Sequence, residues 1–133
     1  MRDNGLAMKL RIKGNSIRLR VSQPEMAALL REGRIVETIC FGAAADARLS
    51  YGLEVRDAGR EIALEYRDGA VMAVLSASSA RRWAESEDVG VYGDVETGDG
   101  AVALLVEKDF ACLDGDDPQD EDAFPNPKTG VVC

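Results

Sequence analysis

The chain has 133 residues, 46% hydrophobic and 5% aromatic, a length that suits one domain with a sizeable core. Its formal net charge is −8, and it contains no histidine, which removes the commonest general base and excludes a Ser-His-Asp or Cys-His mechanism within one chain. Three cysteines without a CxxC pair (Cys40, Cys112, Cys133) argue against a secreted disulfide framework, and no run approaches the ~18–20 apolar residues that cross a bilayer.

Residues 1–7, which carry Arg2 and Asp3, read as an N-terminal extension with no signal-peptide character. Lys9-Leu10-Arg11-Ile12-Lys13 then alternates polar and apolar residues, the period of a half-buried strand. Gly14-Asn15 is a tight-turn pair, and Ile17, Leu19 and Val21 resume the alternation, so the two runs predict a hairpin. Ser22-Gln23-Pro24-Glu25 is a helix start, with Ser22 as cap, Pro24 in the first turn and Glu25 closing a capping box. Met26, Leu29 and Leu30 form the apolar stripe and Gly33 the stop. Strands are expected over 35–41 and 49–55, with 42–46 as a loop.

The pattern recurs 54 residues later. Leu64, Tyr66, Val71, Ala73 and Leu75 fall on Leu10, Ile12, Ile17, Leu19 and Val21. Asp68-Gly69 falls on the first turn, Ser76 on the capping Ser22, and Ala80, Trp83 and Ala84 on the helical stripe. Val89 and Val91 open a further strand, Gly98-Asp99-Gly100 make a turn, and 101–106 form the last strand. The spacing predicts an α+β fold of two pseudo-repeated β-β-α-β-β units, about 8–57 and 61–107, forming a small barrel or sandwich with two short helices. A gapless superposition of 9–41 on 63–95 is expected. The single domain ends near residue 108. Beyond it, 109–133 reads as an acidic, proline-containing tail, with eight acids from Glu107 to Asp122 and apolar anchors at Phe110, Leu113 and Phe124.

Two resemblances follow. The stretch Lys13-Gly-Asn-Ser-Ile-Arg-Leu-Arg-Val-Ser, with Arg31-Glu-Gly-Arg-Ile-Val-Glu after the helix, resembles the swapped-hairpin unit of AbrB- and MazE-type proteins. That resemblance covers about 30 residues and implies an interlocked barrel whose hairpin cations contact DNA. The second copy departs from it, because Ala63, Glu65, Met72 and Val74 stand where Lys9, Arg11, Arg18 and Arg20 stand in the first. The longer match, from Lys-Leu-Arg-Ile-Lys-Gly-Asn-Ser-Ile-Arg-Leu-Arg at residue 9 to Val106-Glu-Lys-Asp-Phe-Ala-Cys-Leu and Phe124-Pro-Asn-Pro, is similar to a small bacterial family of unknown function, which implies no activity.

Charge is unevenly placed. Residues 1–34 hold eight cations against three acids, and the remainder eight against 21. Lys9, Arg11 and Lys13 share one side of the first strand with Arg18 and Arg20 of the second, and such a row repels itself unless something anionic answers it. The candidates are solvent and nearby acids, the chain's own tail, an acidic protein, or nucleic acid, which the acidic remainder opposes. In the tail, Asp109, Phe110, Leu113, Asp116, Asp117 and Phe124 form a candidate partner-binding strip. Cys112 with Asp109 and Asp114 is a weaker metal alternative, because one cysteine without histidine rarely holds zinc. Cofactor motifs are absent, and no carboxylate pair stands out as an acid–base couple.

The expected function is a non-catalytic cytoplasmic binding or regulatory module, monomeric or homodimeric, recognising protein through the basic face and acidic tail. The alternatives are an AbrB-like DNA-binding regulator and a metal- or small-ligand-binding protein.

Overall fold

A computed structural model describes residues 8–110 and Phe124. The first unit runs β1 (Lys9–Lys13), β2 (Ser16–Val21), α1 (Gln23–Glu32), β3 (Arg34–Cys40) and β4 (Arg48–Val55). The second runs β5 (Ile62–Arg67), β6 (Ala70–Leu75), α2 (Ala77–Glu85), β7 (Gly90–Glu96) and β8 (Ala101–Lys108). The repeated unit is therefore present in both halves.

Local chemistry explains these elements. The two-residue turns take the positive φ that matches strand twist, at Gly14 (56°) in the first hairpin and at both Asp68 (53°) and Gly69 (75°) in the second. Ser22 caps α1 through the expected box. Its Oγ accepts from the Glu25 N–H at 3.4 Å, and Glu25 Oε1 accepts from the Ser22 N–H at 2.8 Å. Gly33 closes the helix in the left-handed region (φ 81°), donating to the Leu29 carbonyl at 2.7 Å. Ser76 caps α2 in the same way but has Ser79, not a glutamate, at the third position.

The eight strands form two open mixed sheets, in the orders β1-β2-β8-β7 (sheet A) and β3-β4-β6-β5 (sheet B). No closed barrel forms among the described residues. Each sheet takes one hairpin from each unit, joined by a central parallel pair: β2 with β8 in sheet A and β4 with β6 in sheet B. Exchanging the units maps one sheet onto the other, so the two copies interlock rather than sit side by side.

The register corrects the gapless superposition. Ser16 faces Ala103 as Ala70 faces Ser50, which keeps a shift of 54 for β2 and β6 (16 to 70) but gives 53 for β4 and β8 (50 to 103). Arg34 opposite Glu54 corresponds to Gly90 opposite Glu107, a shift of 56 for β3 and β7 (34 to 90). The physical reason lies at the helix ends. Gly33 alone turns α1 into β3, whereas α2 stops at Ser86 in extended backbone and needs a longer connection.

One core serves both sheets and both helices. Leu19, Val21, Leu104 and Val106 of sheet A meet Leu53, Ala73 and Leu75 of sheet B, with Met26 and Leu29 of α1 and Ala80 and Trp83 of α2 packed among them. Trp83 is 1% exposed and donates its indole N–H to the Val89 carbonyl at 2.9 Å, so its polar end is satisfied. Among the described residues, no helix is long and apolar enough to cross a membrane.

Candidate binding face on sheet A

With Leu10, Leu19 and Val106 turned inward, period-two alternation turns the neighbouring residues outward. The register then sets out three rows across the outer face of sheet A. Lys9 faces Arg20, and Arg20 faces Glu107. Arg11 faces Arg18, then Leu105, then Tyr92. Lys13 faces Ser16, then Ala103, then Asp94. The five cations read from the sequence therefore lie together, four of them as two directly opposed like-charge pairs, Lys9 with Arg20 and Arg11 with Arg18.

The parallel pairing of β2 with β8 brings in a residue the sequence did not single out. Glu107 Oε1 lies 3.4 Å from Arg18 Nε and 3.8 Å from Arg20 Nε, and its Oε2 accepts from the Tyr92 phenol at 2.9 Å. Gly90 gives it room: a Cβ there would stand 2.3 Å from the Val106 carbonyl oxygen and 3.0 Å from Glu107 Cγ. One residue past β8, Asp109 reaches Lys9 Nζ at 2.8 Å. Three cations thus share two carboxylates, while Arg11 and Lys13 make no ion pair among the described residues. Lys9, Leu10, Arg11, Arg18 and Arg20 line a shallow depression of about 200 Å³.

Partial burial raises the Tyr92 phenol to about 12, with help from its hydrogen bond to Glu107 and the charge of that carboxylate. The phenol therefore stays a neutral donor that fixes Glu107 between the two guanidinium groups.

The matching face of sheet B has different chemistry. Glu65 faces Met72, which faces Gly52, and Ala63 faces Val74, which faces Glu54. Met72 and Val74 are buried, and Arg56 lies over this side, 2.7 Å from Glu65 and 3.4 Å from Glu54. The chain thus presents one basic sheet face, not a symmetric pair. A second groove, of about 380 Å³, runs between α1 and β3 and is lined by Glu32, Arg34 and Glu37, with Glu25 committed to the helix cap.

The tail residues divide. Asp109 is held against Lys9. Phe110 and Phe124 form an isolated bridge with their rings edge to face, centroids 6.1 Å apart, and the Phe124 N–H donates to the Asp109 carbonyl at 2.8 Å. Lys108, only 7% exposed, donates to the Ser86 carbonyl at 2.8 Å and places Nζ 5.3 Å from the Phe124 ring centre. Phe124 is therefore an intramolecular anchor. Leu113, Asp116 and Asp117, and with them Cys112 and Asp114 of the metal alternative, lie outside the described residues. Among the described residues, no cluster of three His, Cys, Asp or Glu side chains is placed to hold a metal ion.

The fold and face define a class: a duplicated α+β domain with interlocked hairpins and one charged sheet surface. The chain belongs to a family described as a family of unknown function, DUF7009, which it matches over residues 8–128. No curated protein matches it. No solved structure matches it either, so nothing in these comparisons ties it to the AbrB- or MazE-type proteins that its first 30 residues resemble.

Proposed function

We propose that the chain is a non-catalytic binding module that receives an acidic protein segment on the outer face of sheet A. The observation that carries this reading is the imbalance on that face: five cations against Glu107, Asp109 and, across the sheet on β7, Asp94, with Arg11 and Lys13 free of ion pairs among the described residues. Glu107 holds two guanidiniums in a fixed geometry without cancelling both, and Tyr92 holds Glu107. A positioned, under-neutralised cation row attracts an anionic partner and fixes its register more than it adds raw affinity.

Nucleic acid is the competing anion. A twofold DNA reader would use both sheet faces, whereas sheet B offers Glu65, Met72 and Val74 where sheet A offers Arg11, Arg18 and Arg20. The test is fluorescence anisotropy with a labelled glutamate-rich peptide and a labelled DNA duplex of mixed sequence. The peptide is expected to bind, with affinity falling several-fold as salt rises from about 50 to about 300 mM, and binding is expected to vanish in Arg11→Glu plus Lys13→Glu. Binding of the duplex alone would replace this reading with the nucleic-acid one.

A further inference from the structure

We infer that the acidic segment binds by strand addition, extending sheet A at the open edge of β1. This rests on the basic-face reading and specifies how the partner is held.

β1 is an edge strand, and among the described residues nothing pairs with its outer side. The corresponding strand of the second unit is treated differently. β5 packs against β7, where Gly93 lets Ile62 approach so closely that a Cβ on Gly93 would stand 2.7 Å from Ile62 Cγ2. In the first unit Glu37 occupies the position of Gly93, and no comparable contact joins β3 to β1. The β5 edge is therefore packed against β7, whereas the β1 edge is uncovered among the described residues.

Turn geometry sets what that edge offers. In a two-residue hairpin the residues flanking the turn form the hydrogen-bonded pair. Lys13 and Ser16 flank Gly14-Asn15, so Lys9, Arg11 and Lys13 direct their backbone groups toward β2. Leu10 and Ile12 then direct theirs to the open edge, where an added strand would find donors and acceptors. The side chains are equally specific. Lys9, Arg11 and Lys13 flank the edge on one face, while on the other Ile12 is 62% exposed and Leu10 half-buried. Lysine-bearing edges resist pairing with ordinary strands, which selects for an occupant of opposite charge. The matching segment alternates Asp or Glu, over the cations, with apolar residues over Leu10 and Ile12.

The test uses the full chain and a fluorescein-labelled peptide of alternating glutamate and valine, alongside the same peptide N-methylated at alternate amides. Methylation removes strand donors and keeps every charge. Strand addition predicts at least a tenfold loss of affinity on methylation and slower hydrogen exchange of the Leu10 and Ile12 amides in the wild-type complex. Equal binding of both peptides with unchanged exchange would overturn strand addition and leave the basic-face reading standing. Binding of neither peptide at low salt would overturn both.

Discussion

The Tyr92 hydroxyl donates to Glu107 Oε2 at 2.9 Å, tying β7 to β8 at the carboxylate that also lies beside Arg18 and Arg20. That contact makes the phenol a reporter of the whole face. Tyr92 is expected to ionise at about 12, well above the ordinary tyrosine value, when followed by tyrosinate absorbance. Tyr92→Phe should remove that component. The sign for stability follows from proton count. Between 10 and 12 the folded phenol keeps a proton that the unfolded one has lost, so this group's contribution declines as pH rises through that window.

The two helix caps offer an internal comparison. Ser22 works with Glu25 in a reciprocal box, while Ser76 accepts from the Ser79 N–H at 3.2 Å with no glutamate behind it. Each serine-to-alanine change should cost on the order of 1 kcal/mol. Ser22→Ala should cost more than Ser76→Ala in urea denaturation, because it also removes the Ser22 hydroxyl that donates to the buried Glu25 carboxylate at 3.2 Å.

Gly93 should tolerate no side chain. Gly93→Ala is expected to destabilise by about 1–3 kcal/mol through overpacking against Ile62. Ile62→Ala removes the methyl that a new Cβ would strike, so the double variant should lose less than the two single losses combined. Strict additivity in thermal or urea unfolding would mean that the close approach of β5 to β7 does not matter.

Lys108 is a buried cation held by a carbonyl at the end of α2 and by the face of Phe124. The C-terminus of a helix favours positive charge. Lys108→Met keeps the aliphatic length and deletes both contacts, so the expected loss is about 1–3 kcal/mol. Phe124→Ala should produce part of the same loss, and the two effects should be non-additive.

Glu61 touches Ser79 Oγ and Arg82, and these contacts hold its carboxyl below the ordinary glutamate range, Arg82 contributing most. Its contribution is present above the unfolded value and is lost as pH falls through the folded one. A carbon-detected titration should find Glu61 protonating at lower pH than glutamates without such contacts, and Arg82→Met should bring it part of the way back, with the Ser79 contact remaining.

Much of the architecture was legible because it is local. Strand alternation in residues 9–13 and 17–21, the Gly14-Asn15 and Asp68-Gly69 turns, the Ser22 box and the Gly33 stop each involve residues a few positions apart. The row of five cations was legible for the same reason, since a two-residue turn fixes which side chains of a hairpin share a face.

What answers that row was not legible. Glu107 meets Arg18 and Arg20 only because β8 pairs in parallel with β2, and no local pattern signals a partner so far along the chain. The open sheets and the packing of the β5 edge on β7 through Ile62 and Gly93 have the same origin. By itself the sequence determined two copies of one unit, each with its hairpin, cap and apolar stripe, because backbone φ preferences and side-chain periodicity act over a few residues. Tertiary structure decided that the copies exchange hairpins, that the cations gather on the outer face of sheet A, and that the β5 edge packs against β7 while the β1 edge is open among the described residues. Those outcomes depend on long-range pairing and on how closely two backbones can approach.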